Sequence, residues 1–288
     1  MWVVVKKILA LALVVILVFA FVGCAGKKPA QGELTREELD RIIADAVAAI
    51  AEVDTFKFDM NVSMAMEVIG GAEVGEMTLV ADSAGTVNNA NKEMQMSVSM
   101  AAEMLGEGRE DMVMEFYIVG GWMYTKMDVP GVGERWARAG LTEEAWKTQS
   151  QMSQQIEFLE TAEEVKLLGE ESVRGTACYV VEMVPSKEAL GDLMSQQAFG
   201  MDLGDLALAD LFKEIYVTEW IARDNCFLMK SEIDVLMDIS AKDIGATEED
   251  FGTMTMDVNM EFAAYDYNEP VSIELPEEAL EAQEVPES

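Results

Sequence analysis

The apolar positions of the chain follow two periods. From Phe56 onward, Phe56, Phe58, Met60, Val62, Met64 and Met66 alternate with Lys57, Asp59, Asn61, Ser63, Ala65 and Glu67. A period of two puts one set on each face of an extended chain, so this stretch predicts a long half-buried β-strand. The alternation returns in Met94, Met96, Val98, Met100 and Met104, in Met112, Met114, Phe116 and Ile118, and in Met254, Met256, Val258, Met260 and Phe262. One apolar and one polar face per strand marks an antiparallel sheet packed on one side. Gly120-Gly121 stands between Tyr117-Ile118-Val119 and Trp122-Met123-Tyr124. Both glycines tolerate positive φ, as a two-residue hairpin turn requires. Further strands are predicted around Trp136, at residues 165–173 and 178–184, and in a hairpin of residues 216–223 and 227–239 that turns at Asp224-Asn225.

The second period is helical. Thr35 followed three residues later by Glu38 forms a capping box, and Leu39, Ile42, Ile43, Ala46, Val47, Ile50 and Val53 continue at helical spacing. Residues 141–162 are polar and helical in composition, with Trp146, Met152, Ile156 and Leu159 as buried positions. A second helical insertion is predicted from about residue 187 to 215, interrupted near Gly200 and Gly204. These elements amount to about ten or eleven strands, one leading helix and two helical insertions, with no break that would separate two cores. The reading is one α+β domain over residues 35–280, with residues 281–288 as a loose acidic tail.

The N-terminus does not belong to this domain. Lys6 and Lys7 precede an apolar run over residues 8–22, followed by Gly23-Cys24-Ala25-Gly26. Such a run is short for a spanning helix, which needs about 20 residues, and has the form of a secretory signal. An uncleaved anchor is the rival reading. Phe21-Val22-Gly23-Cys24 resembles the bacterial lipobox, in which a small residue precedes the Cys that receives diacylglycerol before cleavage. Phe21 stands where Leu is usual. Residues 1–23 are thus expected to be removed, Cys24 to carry the lipid that holds the protein on a membrane, and residues 24–34 to form a flexible tether.

Charge and composition narrow the function. Fifty-four Asp and Glu face 20 Lys and Arg, a formal net charge of −34, which repels phosphate backbones and speaks against nucleic-acid binding. With no His, imidazole-based triads, zinc hydrolases and facial-triad oxygenases are excluded. Three Cys cannot build a four-thiolate cluster in one chain. No phosphate-binding glycine loop, Ser-x-x-Lys pair or EF-hand loop is present. The expectation is a non-enzymatic protein without cofactor or metal. If Cys24 is acylated, Cys178 and Cys226 are the only thiols left, either to pair as a disulfide outside the cytoplasm or to lie buried apart.

Twenty-two methionines are unusual, and most fall on the apolar side of predicted strands. Met-x-Met spacing imitates thioether copper motifs, but in a strand it follows from two residues sharing a face. Ordinary core packing explains any single Met. As a group, flexible thioethers suit a cavity that accepts acyl chains. The candidate cavity set is Phe58, Met60, Val62, Met64, Met66, Met94, Met96, Val98, Met100, Met114, Phe116, Met254, Met256 and Met260.

Three segments carry a resemblance to a known group: Gly121-Trp122-Met123-Tyr124, the run Glu219-Trp220-Ile221-Ala222-Arg223-Asp224-Asn225-Cys226-Phe227-Leu228-Met229-Lys230, and Asp266-Tyr267-Asn268-Glu269-Pro270-Val271-Ser272-Ile273-Glu274-Leu275-Pro276. They resemble the LolA/LppX superfamily of lipid-handling envelope proteins and lipoproteins. Ala222 stands where that group often has Asp. The resemblance implies a curved antiparallel half β-barrel with helices covering its concave face, and an acylated ligand held between the two. The expected function is a membrane-anchored, extracytoplasmic carrier of acyl lipid. The alternative is a protein-interaction or envelope-sensing lipoprotein with a filled core.

Overall fold

The computed structural model describes residues 35–70, 75–104, 108–129, 133–142, 146, 159, 162–187, 208–243, 247 and 252–284. The expected signal segment, Cys24 and its expected tether, most of both predicted helical insertions and residues 285–288 lie outside the described residues. The leading helix α1 (Arg36–Ala51) begins at the expected capping box. The Glu38 N–H donates to Thr35 Oγ1 at 3.3 Å, and Glu38 Oε2 accepts from the Thr35 N–H at 2.9 Å. Leu39, Ile42, Ala46 and Ile50 form its buried stripe.

Eleven long strands follow: β1 (Thr55–Ile69), β2 (Gly75–Asn88), β3 (Glu93–Met104), β4 (Gly108–Val119), β5 (Trp122–Val129), β6 (Gly133–Gly140), β7 (Ala162–Val173), β8 (Thr176–Pro185), β9 (Phe212–Ala222), β10 (Leu228–Ser240) and β11 (Thr253–Tyr265). A four-residue helix α2 (Leu208–Leu211) leads into β9, and a 3₁₀ turn (Glu277–Glu281) precedes the two-residue strand β12 (Gln283–Glu284). All belong to one sheet of order β12-β6-β5-β4-β3-β2-β1-β11-β10-β9-β8-β7. The chain meanders from β1 out to β6, crosses to the far edge at β7, and meanders back until β11 pairs with β1. That central pairing is antiparallel from Lys57↔Tyr265 to Ile69↔Thr253. Among the described strands only β12, on β6, runs parallel. The architecture is therefore an open, mostly antiparallel sheet with one long helix packed on it, as a half-barrel requires.

The predicted strands and the Gly120-Gly121 turn are in place, with φ of 62° and 79° at the two glycines. Three features differ from expectation. Strand β2 lacks a regular apolar pattern because its inward positions are partly occupied by Ser83 and Gly85. Gly85 lies opposite Phe58, and a Cβ there would come within 2.5 Å of the Phe58 ring. The second helical insertion gives way to strand at Phe212, short of residue 215, because Phe212–Ile215 pairs with the end of β10. The C-terminal segment is not loose up to Glu284: Ala279 and Ala282 pack on Tyr117 and Tyr124, and β12 pairs with Ala137 and Arg138.

The main core lies on one face of the sheet. It joins the inward residues of β1 and β8–β11 to the α1 stripe and to Trp146, Leu159 and Leu211. The opposite face is polar and braced by ion pairs, among them Arg174 with Asp59 and Lys57 with Asp266 at 2.9 Å. It also carries two small apolar clusters, one around Cys178, Val180, Trp220 and Met229, the other under the C-terminal segment.

Candidate functional site

Strand parity brings the fourteen predicted cavity residues to the inner face, and register makes many of them neighbours. Val62 lies opposite Met260 and Met66 opposite Met256. Met96 faces Phe116 and Val98 faces Met114. Burial then divides them. Phe58, Met60, Val62, Met64, Met66, Met94, Met254, Met256 and Met260 are buried in the core. Met96, Val98, Met100, Met114 and Phe116 are half-buried. The inner face is thus dry across β1 and β11 and partly open across β3, β4 and β5.

The open part is larger than the sequence suggested. Met112 lies opposite Met100, and Met127 opposite Met114. These two are 39% and 37% exposed. Met112 was legible in the alternation, whereas the pair Met123 and Met127 is interrupted by Thr125 and is fixed to this face only by the Gly120-Gly121 hairpin register. The result is a stripe of unbranched thioethers beside Val98 and Phe116, with water on part of it.

One polar side chain intrudes on the dry half. Glu219, between Val217 and Ile221 in β9, points inward and is fully buried. Its Oε1 accepts a hydrogen bond from Ser231 Oγ at 3.0 Å, the residue opposite it on β10. Its Oε2 has no hydrogen-bond partner among the described residues. Burial pushes the carboxyl well above the usual carboxylate range, against the weaker opposing pull of the Ser231 hydroxyl. Tyr267 sits close by, its ring stacked on Phe227 and Phe56 and its hydroxyl donating to the Leu228 carbonyl. Burial, and then the Glu219 charge, push this phenol well above its ordinary value. The alternation Val217-x-Glu219-x-Ile221 was the available signal for an inward acid.

Cys178 and Cys226 are free thiols. Cys178 faces the outer Trp220 cluster, while Cys226, in a left-handed turn conformation at φ 59°, packs against the main core. The sheet separates them, so the pairing considered from sequence is not made. Burial pushes the Cys178 thiol to about 11.

Among the described residues no helix is long and apolar enough to cross a membrane. No functionally curated protein matches the chain. The structure is similar to the crystal structure of the Mycobacterium tuberculosis lipoprotein LppX, at 14% identity and a TM-score of 0.41, covering 83% of this chain and 100% of that one. It is also similar to LprF from Mycobacterium bovis, at 14% identity and a TM-score of 0.46, covering 85% and 99%. A family model described as a family of unknown function, DUF6612, matches residues 38–284, which span β1 to β12 and nearly all of α1. The chain belongs to the DUF6612 family.

Proposed function

We propose that this protein is a non-enzymatic lipoprotein, held outside the cytoplasm by acylated Cys24, that binds acyl chains on the methionine-rich inner face of β3, β4 and β5. The observation that supports this is the unequal burial of one continuous apolar face. Met96, Val98, Met100, Met112, Met114, Phe116 and Met127 keep part of their surface in water while their neighbours on β1 and β11 are packed. Apolar area left in water costs about 25 cal/mol per Å², so a covering acyl chain is favoured. Thioether side chains re-pack around a flexible ligand at little cost. The dry half limits the site: the nine buried residues, Met254 and Met256 included, support the sheet and do not line the ligand. That filled half also supports the second reading, an interaction or sensing lipoprotein in which a protein partner covers the stripe.

The test is native mass spectrometry with organic extraction of the protein purified from bacterial membranes. Acyl lipid beyond the Cys24 modification, lost in a Met100→Glu/Met114→Glu variant that keeps its circular dichroism, supports the carrier reading. A lipid-free protein that also refuses added phospholipid and fatty acid transfers the assignment to the second reading.

A further inference from the structure

The β6 edge of the sheet is only partly covered. β12 pairs with β6 at Ala137 and Arg138 alone. Alongside one part of the remainder, Gly133–Trp136, runs a groove of about 560 Å³ lined by Glu115, Lys126, Glu134, Arg135, Trp136 and, from the C-terminal segment, Glu278 and Glu281 among others. That volume falls in the range of ligand clefts. From this geometry we infer that the groove is a strand-addition site for an extended, basic peptide segment of a partner protein.

Four observations meet there. First, the edge is competent to pair, since it already accepts a parallel strand from the chain's own C-terminal segment. Second, the groove continues along the same strand where that pairing stops, over four residues or about 13 Å of extended chain. A peptide placed there would bond to backbone groups that β12 leaves unused. Third, the charges are unbalanced. Lys126 is held by Glu115 at 3.2 Å and Glu134 at 3.1 Å. Glu278 and Glu281, on the opposite wall, have no ion pair among the described residues, and Arg135 is the remaining cation of the lining. Alternate side chains of an added strand would project toward these carboxylates, which selects Lys or Arg. Fourth, the floor is rigid: Tyr117 donates to Glu115 at 3.0 Å and its ring packs on Trp136 at 5.9 Å between centroids. Trp136 gives an apolar contact for the stem of a basic side chain. A bare polyamine would satisfy the charge and leave the strand edge unused, so the edge favours a peptide. The inference is independent of the acyl-chain proposal, because the groove lies on the polar side and edge of the sheet.

The experiment uses the full-length protein in detergent micelles and follows Trp fluorescence and calorimetry with the probe peptide acetyl-Thr-Lys-Val-Lys-Thr-Lys-Val-amide. Saturable binding is expected, weakened at least tenfold by N-methylation of alternate backbone amides and at least tenfold by Glu278→Gln/Glu281→Gln. Both changes leave the folded protein intact, since the first is made in the peptide and the second at exposed side chains without an ion pair among the described residues. Absence of saturable binding, equal binding of the N-methylated peptide, or equal affinity for spermine would each overturn the strand-addition assignment.

Discussion

Glu219 offers a sharp test of the inner face, because a buried carboxyl makes stability depend on pH in a calculable direction. Its folded-state pKa is raised, so the sign is set. Below about pH 4.5 both folded and unfolded chains hold the proton and the ionisation of this group contributes no pH dependence. Above it the unfolded chain releases the proton while the folded chain retains it. Stability is then lost with rising pH until the folded pKa is passed. The slope is about 1.4 kcal/mol per pH unit, so two units remove about 2.7 kcal/mol from a domain of ordinary stability, about 5–15 kcal/mol. Glu219→Gln keeps the shape and the Ser231 hydrogen bond at 3.0 Å but cannot ionise. Urea unfolding of both proteins at pH 4.5, 5.5, 6.5 and 7.5 isolates this group, since the other 53 acids are common to both. The expected stability difference is near zero at pH 4.5 and grows in favour of the variant by about 1.4 kcal/mol per unit over the first steps. A difference that stays constant across the series would refute the buried, neutral carboxyl.

Other consequences concern packing and reactivity. Met256, with no exposed surface, should lose about 2–5 kcal/mol on Met256→Ala. Met114→Ala, at a half-buried position, should cost less than half of that in the same denaturation assay yet weaken acyl-chain binding. Gly85→Ala places a Cβ 2.5 Å from the Phe58 ring and should cost about 1–3 kcal/mol. Phe58→Leu added to it should recover part of that loss, and strictly additive effects would disprove the contact. With its thiol pushed to about 11, Cys178 is about one part in a thousand thiolate at pH 8. Iodoacetamide followed by peptide mapping should modify Cys226 first and Cys178 only after unfolding.

The legible parts of the fold were those decided locally. The capping box at Thr35 and Glu38, the period-two runs of β1, β3 and β11, and the Gly120-Gly121 turn each need only their own residues. The illegible parts depend on a distant partner. Phe212-Lys213-Glu214-Ile215 has the apolar spacing of a helix turn, and only its pairing beside β10 makes it strand. In β2, Gly85 reads as a break until the Phe58 ring across the ladder explains it. The C-terminal segment reads as a loose acidic tail because Ala279 and Ala282 acquire their burial from aromatic rings more than 150 residues earlier.

The same distinction governs the candidate site. Parity assigns the methionines to one face and cannot say which of them stay wet, because that depends on strand order. β11 pairs with β1, so the two runs Phe56–Met66 and Met254–Phe262 adjoin at the centre of the sheet. Flanked by β2 and β10, each finds apolar neighbours on both sides and dries out. The runs of β3 and β4 adjoin each other nearer the β6 edge, where the inward residues of β5 are Met123, Thr125 and Met127. Met94 and Ile118 still pack into the main core, but fewer buried partners reach the rest of these runs, so Met96, Val98, Met100, Met114 and Phe116 stay half-buried in the same alternating pattern. Methionine therefore has two roles here. Near the middle of the sheet it is core, where a charge would destroy the fold. Toward the β6 edge it is a soft surface that lacks part of its cover, and a charge there should leave the sheet standing while removing its affinity for an acyl chain.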